Sequence, residues 1–162
     1  MKYELAYGDG RTAQELFAAG TYDNIWKEAL AYIEGGRVEM NTAPGRREIV
    51  LIKLKFLYTD TGVFENIFRK EGLERPSAED LLRFGAAYPD VQRECGTIAF
   101  MHRAWQEADG TPIRLCLGGM PVVRDKATGE ITDPGVRSIR VTGGRGRRVW
   151  NNPCSFAARV PL

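Results

Sequence analysis

The arginine residues are the first feature of this sequence that points to a chemistry. No acidic side chain follows Asp133, whereas six arginines do: Arg137, Arg140, Arg145, Arg147, Arg148 and Arg159. Guanidinium groups bind phosphates and carboxylates through paired hydrogen bonds, and uncompensated positive charge attracts anionic partners. We therefore predict an anion-binding surface formed by Arg137, Arg140, Arg145, Arg147 and Arg148.

The charge is distributed unevenly along a chain that is almost neutral overall. Lys and Arg number 23 against 21 Asp and Glu. Residues 1–108 carry 14 basic and 17 acidic side chains, and residues 109–162 carry 9 basic and 4 acidic ones. The alternative to an exposed basic surface is that this segment packs against the acidic part of the same fold.

Two tryptophans lie beside arginines and could stack on a base or nucleotide. Trp150 follows Arg148 by two residues, and Trp105 is expected to face Arg114 across a hairpin. The alternative is that each tryptophan is covered by its arginine on the protein's own surface. The glycines at 143, 144 and 146 match no phosphate-binding loop motif, and no helix is predicted after them. The segment 143–148 either binds a phosphate backbone or is a hairpin loop.

His102 is the only histidine, which excludes metal sites that need two histidines. It is either a half-buried imidazole with one satisfied hydrogen bond, or a general base or ligand contact at the mouth of a cavity. It is the only catalytic candidate that we retain. The cysteines Cys95, Cys116 and Cys154 form no CxxC pair, so we expect free thiols, no metal site and no cofactor.

The composition is that of an ordinary folded domain. Of the 162 residues, 43% are hydrophobic and 27% are charged. No apolar run approaches the roughly 20 residues that cross a bilayer, and the N-terminus lacks the apolar segment of a secretory signal. Together with the unpaired cysteines, these features predict a soluble, cytoplasmic protein.

The first ninety residues alternate between helical and extended patterns. We predict a strand at Lys2–Tyr7, a helix capped by Thr12 and Glu15, and a second helix ending at Gly35-Gly36. Residues 38–40 should then form a hairpin with a strand at 49–58 around an Ala-Pro-Gly turn. Two further helices follow, one starting near Asp60 and one capped by Ser77.

From Thr97 onward the pattern favours β-structure. Asp109-Gly110 predicts a tight hairpin in which residue i opposes residue 219 − i. That register places His102 on one face with Ile98, Phe100, Ala104, Ile113, Leu115 and Leu117. Residues 125–129 predict a second hairpin loop, residues 136–142 a strand, and residues 156–160 an edge strand.

These elements predict a single α+β domain spanning residues 1–162. N-terminal helices and a β-hairpin (1–96) would pack against a C-terminal antiparallel sheet of four to six strands (97–162, Arg-rich). We expect a non-enzymatic binding module, of inhibitor or adaptor type, for an anionic partner such as nucleic acid, a nucleoprotein complex or an acidic protein. The alternative is a small-molecule or catalytic pocket between the helices and the sheet that contains His102.

Overall fold

The computed structural model describes residues 1–53, 58–59, 63–106, 111–143, 149–150 and 155–161. For 58–59, 64–65, 105–106, 143 and 149–150 it describes the backbone alone. The predicted contacts of Arg145, Arg147 and Arg148, the Asp109-Gly110 turn and Cys154 lie outside the described residues.

Four α-helices and one π-helical turn are present in the described chain. The α-helices are α1 (Ala13–Ala19), α2 (Lys27–Glu34), α3 (Ala78–Ala87) and α4 (Pro89–Cys95), and the π-helical turn is Phe64–Phe68. The predicted caps are confirmed, because Thr12 with Glu15 and Ser77 with Asp80 each form a capping box. Pro89 separates α3 from α4 because its ring lacks the N–H that a continuous helix would need.

Twelve strands are described, and eight of them form one sheet. In chain order the strands are β1 (Lys2–Tyr7), β2 (Asn24–Ile25), β3 (Gly45–Lys53), β4 (Tyr58–Thr59), β5 (Ile98–Phe100), β6 (Trp105–Gln106), β7 (Pro112–Met120), β8 (Val123–Arg124), β9 (Ile131–Asp133), β10 (Val136–Gly143), β11 (Val149–Trp150) and β12 (Ser155–Arg159). The large sheet has the order β1-β3-β12-β5-β7-β10-β2, and β6 extends the pairing along β7. The pairs β4–β11 and β8–β9 are separate.

The prediction of mixed helices and sheet is confirmed, but the prediction of a purely antiparallel C-terminal sheet is wrong. The pairs β5–β12 and β2–β10 are parallel. The sheet also includes β1 and β3 from the N-terminal part, so it is not confined to residues 97–162. Strand β12, expected at an edge, lies between β3 and β5.

The predicted hairpin of residues 38–40 with 49–58 is also wrong. Strand β3 pairs with β1 instead, with Tyr3 opposite Ile49 and Tyr7 opposite Gly45. Val38 is buried without joining a strand. The alternation of Val38 and Met40 with polar residues therefore did not come from a strand. It came from an irregular segment in which Val38 faces the core.

Hydrophobic side chains cover both faces of the sheet. On one face, Ile98, Phe100, Leu115 and Leu117 belong to the core that the helices complete, as the sequence predicted. On the other face, Ala99, Met101, Phe156 and Ala158 pack with Val63 and Phe68 from the segment around the π-helical turn. Because successive side chains of a strand point to opposite faces, one strand such as β5 contributes to both cores.

Candidate functional site

Arg137, predicted to bind anions at the surface, is buried, with 1% of its surface exposed. Its Nη2 donates to the Gly85 carbonyl at 2.9 Å and its Nη1 to the Thr21 carbonyl at 3.3 Å. The guanidinium lies 5.3 Å from the ring centre of Tyr22. This is a correction of the sequence prediction: the side chain joins α3 and the segment after α1 to the sheet and is not available to a partner.

Arg114 and Arg140 lie on the opposite face of the sheet from Arg137. In the β7–β10 ladder Arg140 opposes Cys116 and Thr142 opposes Arg114, so the two arginines are diagonal neighbours. Arg140 donates to the hydroxyl of Thr97 at 2.9 Å. Arg114 donates from Nε to the carbonyl of His102 at 2.9 Å. Both are half-buried, so only part of each guanidinium is accessible.

The predicted register around Trp105 is wrong. Ile98 opposes Leu117, whereas Trp105 opposes Ile113, so residues 101–104 form an interruption between β5 and β6. The interruption changes the register, and Trp105 therefore does not oppose Arg114 as expected. For Trp105 and Trp150 the structure describes the backbone alone, so the stacking hypothesis stays a prediction.

Where the ladder is interrupted, the imidazole of His102 forms hydrogen bonds with backbone groups in place of a strand partner. Its Nε2 accepts the Leu115 N–H at 2.9 Å, and its Nδ1 therefore carries the proton and donates to the Arg103 carbonyl at 2.8 Å. Burial, assisted by the charge of Arg114, lowers the pKa of His102 to about 4. A neutral ring with both nitrogens occupied has no free lone pair, so this arrangement supports the structural interpretation of His102 rather than the general base.

A cleft of about 440 Å³ opens beside this interruption. Three chain segments supply its lining: residues 32–39 at the end of α2, residues 75–78 at the start of α3, and residues 102–104. The charged side chains among them are Arg37, Arg75, Arg103 and Glu39. The volume lies within the range of roughly 300–1,000 Å³ that is typical of small-molecule sites.

Local structure fixes each of the three segments. Gly36 has a φ of +67°, which favours glycine, and it turns the chain after α2. The hydroxyl of Tyr32 then donates to the Arg37 carbonyl at 3.0 Å. Ser77 begins α3 through its capping box, and His102 fixes the third segment as described. The cleft therefore has a backbone frame that needs no ligand to form.

Two cations in the cleft have no partner within the described chain. The side chains of Arg37 and Arg103 are exposed and form no hydrogen bond or ion pair with any described residue. By contrast, six other described arginines form salt bridges: Arg11, Arg46, Arg83, Arg93, Arg124 and Arg159. Glu39 likewise has no ion-pair partner among the described residues. The cleft thus presents an excess of uncompensated positive charge.

A second polar cluster lies at the start of α3, and its side chains pair with one another, although the Arg159 Nε is buried without a hydrogen-bond partner. Asp80, fully buried, accepts hydrogen bonds from the Tyr7 hydroxyl and, at 2.6 Å, from Arg159. Arg83 pairs with Glu79 at 2.7 Å and with Asp9 at 3.2 Å. These groups tie α3 to β1 and β12 and leave little capacity for a ligand.

Comparison of the chain with protein-family models, curated proteins and solved structures gives no match. Among the described residues, no group of three or more His, Cys, Asp or Glu side chains is placed to hold a metal ion. In the same parts of the chain, no helix combines the length and apolarity needed to cross a membrane. The local geometry alone therefore carries the functional argument.

The structure brings together two of the predicted site residues and adds others that the sequence did not indicate. His102 lines the cleft and Arg114 contacts its carbonyl, whereas Arg37, Arg75 and Arg103 went unnoticed. These three arginines are far apart in the sequence and share no motif. The Gly35-Gly36 turn predicted the end of α2, and the Ser77 cap predicted the start of α3. Neither signal indicates that these two helix ends lie beside each other in the fold.

Proposed function

We propose that this protein is a non-enzymatic binding module whose anionic partner places a charged group in the cleft. The observation that carries the proposal is that Arg37 and Arg103 line the cleft without a partner in the described chain. Arg75 also lines the cleft but already has an interaction within the chain. An anion beside Arg37 and Arg103 would gain charge-assisted hydrogen bonds that the described residues leave unmade.

The cleft suits recognition of an anion rather than catalysis on it. The only imidazole in the lining, that of His102, already uses both nitrogens and so is not arranged as a general base. Arginine, unlike lysine, presents a planar set of donors that matches the oxygens of phosphates and carboxylates. Binding should therefore depend on charge and geometry and should weaken with salt.

Arg114 extends the positive charge from the cleft toward β7. It contacts the carbonyl of His102, directly before Arg103. Arg140 lies diagonally across the ladder on the same sheet face as Arg114. Arg140 belongs to the predicted anion-binding surface, and Arg114 was predicted to stack with Trp105. Their positions support a macromolecular partner such as nucleic acid, because a polymer could contact them and the cleft at once.

The experiment is a binding titration with a labelled, 5′-phosphorylated single-stranded oligonucleotide and with a polyglutamate peptide at low ionic strength. The double variant Arg37→Gln/Arg103→Gln should weaken binding of whichever probe the protein recognises by about tenfold or more. The control is Lys27→Gln/Lys126→Gln, which removes the same charge from exposed positions outside the cleft.

Two results would reject this function. The first is the absence of binding by both probes at low ionic strength. The second is an equal loss of affinity in the cleft variant and the control, which would mean that net charge alone attracts the probe. A selective loss in the cleft variant, with steeper salt dependence in the wild type, supports the proposal.

A further inference from the structure

We infer that Tyr32 and His102 are positioning residues, which hold the backbone of the two anion-binding arginines in the cleft. The inference rests on the proposed function and adds two residues on which the affinity depends. Arg37 and Arg103, the two cations of the cleft without a partner in the described chain, share one feature. A buried ring side chain donates a hydrogen bond to the backbone carbonyl of each arginine.

Two hydrogen bonds join the backbone of Arg37 to Tyr32. The hydroxyl of Tyr32 donates to the Arg37 carbonyl at 3.0 Å, and the Arg37 N–H donates to the Tyr32 carbonyl at 3.4 Å. Tyr32 belongs to α2, so these bonds connect the helix with the chain beyond the turn at Gly36. Because both peptide units that flank Arg37 are held, the direction in which its side chain leaves the backbone is fixed.

The two peptide units that flank Arg103 are held in the same way. The Nδ1 of His102 donates to the Arg103 carbonyl at 2.8 Å, and its Nε2 accepts the N–H of Leu115 in β7 at 2.9 Å. Arg114, also in β7, donates to the carbonyl of His102 at 2.9 Å. The backbone on either side of the Arg103 Cα is therefore tied to a central strand of the sheet.

These contacts reduce the entropy that anion binding must cost. An anion that binds two arginines on loosely held chain would have to order their backbone, and this ordering opposes association. Here the rings order that backbone when the protein folds. The side-chain torsions of each arginine are not fixed by these bonds, so loss of one ring contact should weaken binding severalfold and not abolish it.

Matched tyrosine variants provide the first test. Tyr32→Phe removes the hydroxyl that bonds the Arg37 carbonyl, and Tyr88→Phe removes a hydroxyl that donates to the Glu4 carbonyl at 2.7 Å, away from the cleft lining. Pyrophosphate binding to the full chain is measured by calorimetry at low ionic strength. We expect about three- to tenfold weaker binding for Tyr32→Phe and a change of less than about twofold for Tyr88→Phe.

Two variants of His102 separate positioning from stability. Asparagine can place an amide donor near the position of Nδ1, toward Arg103, whereas glutamine can place an acceptor near the position of Nε2, toward Leu115. Asparagine thus leaves the N–H of a fully buried residue unpaired, and glutamine leaves the carbonyl of an exposed one without its donor. We expect His102→Asn to have the lower urea midpoint, and His102→Gln to bind pyrophosphate about threefold more weakly than His102→Asn.

A purely structural role makes different predictions. It gives the two His102 variants the same order in urea midpoint and in affinity, and it gives Tyr32→Phe and Tyr88→Phe equal affinities. Either result, with wild-type binding that depends on Arg37 and Arg103, overturns the positioning role and leaves the proposed function in place. If a His102 variant does not fold, the two tyrosine variants decide the inference.

Failure of the proposed function has a separate signature. If neither pyrophosphate nor either of the two probes described above binds in a manner that depends on Arg37 and Arg103, both proposals are wrong. If one of those probes binds and pyrophosphate does not, the same variants are compared with that probe, and the expected order of affinities is unchanged.

Discussion

At the scale of single residues, the same side-chain type has opposite roles in different surroundings. Arg137 is buried and donates to backbone carbonyls, whereas Arg37 and Arg103 are exposed and have no partner among the residues that the structure describes. The acid-free segment around Arg137 predicted an exposed, anion-binding side chain there, whereas no sequence pattern indicated a role for Arg37 or Arg103. The density of charge along the sequence does not predict whether a side chain is buried. The strand face on which a residue lies decides whether its side chain packs against helices or is exposed to solvent.

Replacement of Arg137 tests this difference directly. Arg137→Gln should lower the free energy of unfolding by about 2–4 kcal/mol, because buried carbonyls lose their donors. The control Arg140→Gln, on a half-buried arginine with one hydroxyl partner, should lower it by less than about 1 kcal/mol. Urea unfolding provides the comparison, and similar losses in the two variants would contradict the assignment of Arg137 as a buried structural residue.

The stability of the protein should depend on pH through His102. Its pKa is about 4 in the folded state against 6.5 for the free side chain. As the pH falls below 6.5, His102 becomes protonated in the unfolded chain but stays neutral in the folded chain. The free energy of unfolding therefore decreases until the pH reaches about 4. We expect a loss of about 2 kcal/mol between about pH 7.5 and pH 5.

The variant His102→Gln isolates this effect from the carboxylates that titrate at lower pH. A glutamine can accept the Leu115 N–H but does not titrate, so its stability should lack the His102 contribution to the slope. Equal slopes in the wild type and the variant, measured by urea unfolding, would show that the imidazole is not held neutral by burial.

At the scale of elements, the start of α3 organises both the core and the cleft. Ser77 and Ala78 line the cleft, and Asp80 one turn later joins the helix to Tyr7 of β1 and Arg159 of β12. The helix start is therefore held by strands from both ends of the chain. A cleft whose walls are fixed in this way needs little ordering when it binds a ligand.

Two substitutions separate the cap from the buried network. Ser77→Ala should cost about 1 kcal/mol of stability, the usual effect of losing a cap. Asp80→Ala should cost about 3–5 kcal/mol, because it also leaves Arg159 without its buried carboxylate. Thermal or urea unfolding measures both, and a loss for Asp80→Ala no larger than for Ser77→Ala would mean that the network adds nothing to the cap.

The elements whose signals are local could be predicted, and those that depend on distant pairing could not. Strand β1, the capping box of Thr12 and Glu15, the Ser77 cap and the 125–129 hairpin loop could be predicted because their side chains determine the nearby backbone. The pairing of β3 with β1 and the place of β12 inside the sheet depend on residues far away in sequence. The cleft belongs to the second class, since three separate segments form it.

At the scale of the whole molecule, the order of strands makes the C-terminal segment part of the centre. Strand β12 pairs with β3 on one side and with β5 on the other, and Phe156, Ala157 and Ala158 are fully buried. The N-terminal pair β1–β3 is thus connected to β5 and β7 through β12. The sheet is complete only when β12 lies in place between β3 and β5.

Deletion of residues 155–162 should therefore prevent folding, whereas deletion of 161–162 should leave the fold intact. The first change removes ladder bonds to two neighbouring strands and a buried aromatic side chain. Circular dichroism and the dispersion of amide resonances report the outcome. A dispersed, cooperatively unfolding chain without residues 155–162 would contradict the central position of β12.

For the molecule as a whole, we expect anions to bind in the cleft and not elsewhere on a nearly neutral protein. The direct measurement is an amide chemical-shift titration of the wild-type protein with pyrophosphate at low ionic strength. We expect saturable shifts concentrated at residues 37–39, 75–78 and 102–104, and their loss in Arg37→Gln/Arg103→Gln. Shifts scattered over the surface, or concentrated in the segment after Asp133 with the cleft unchanged, would contradict the account.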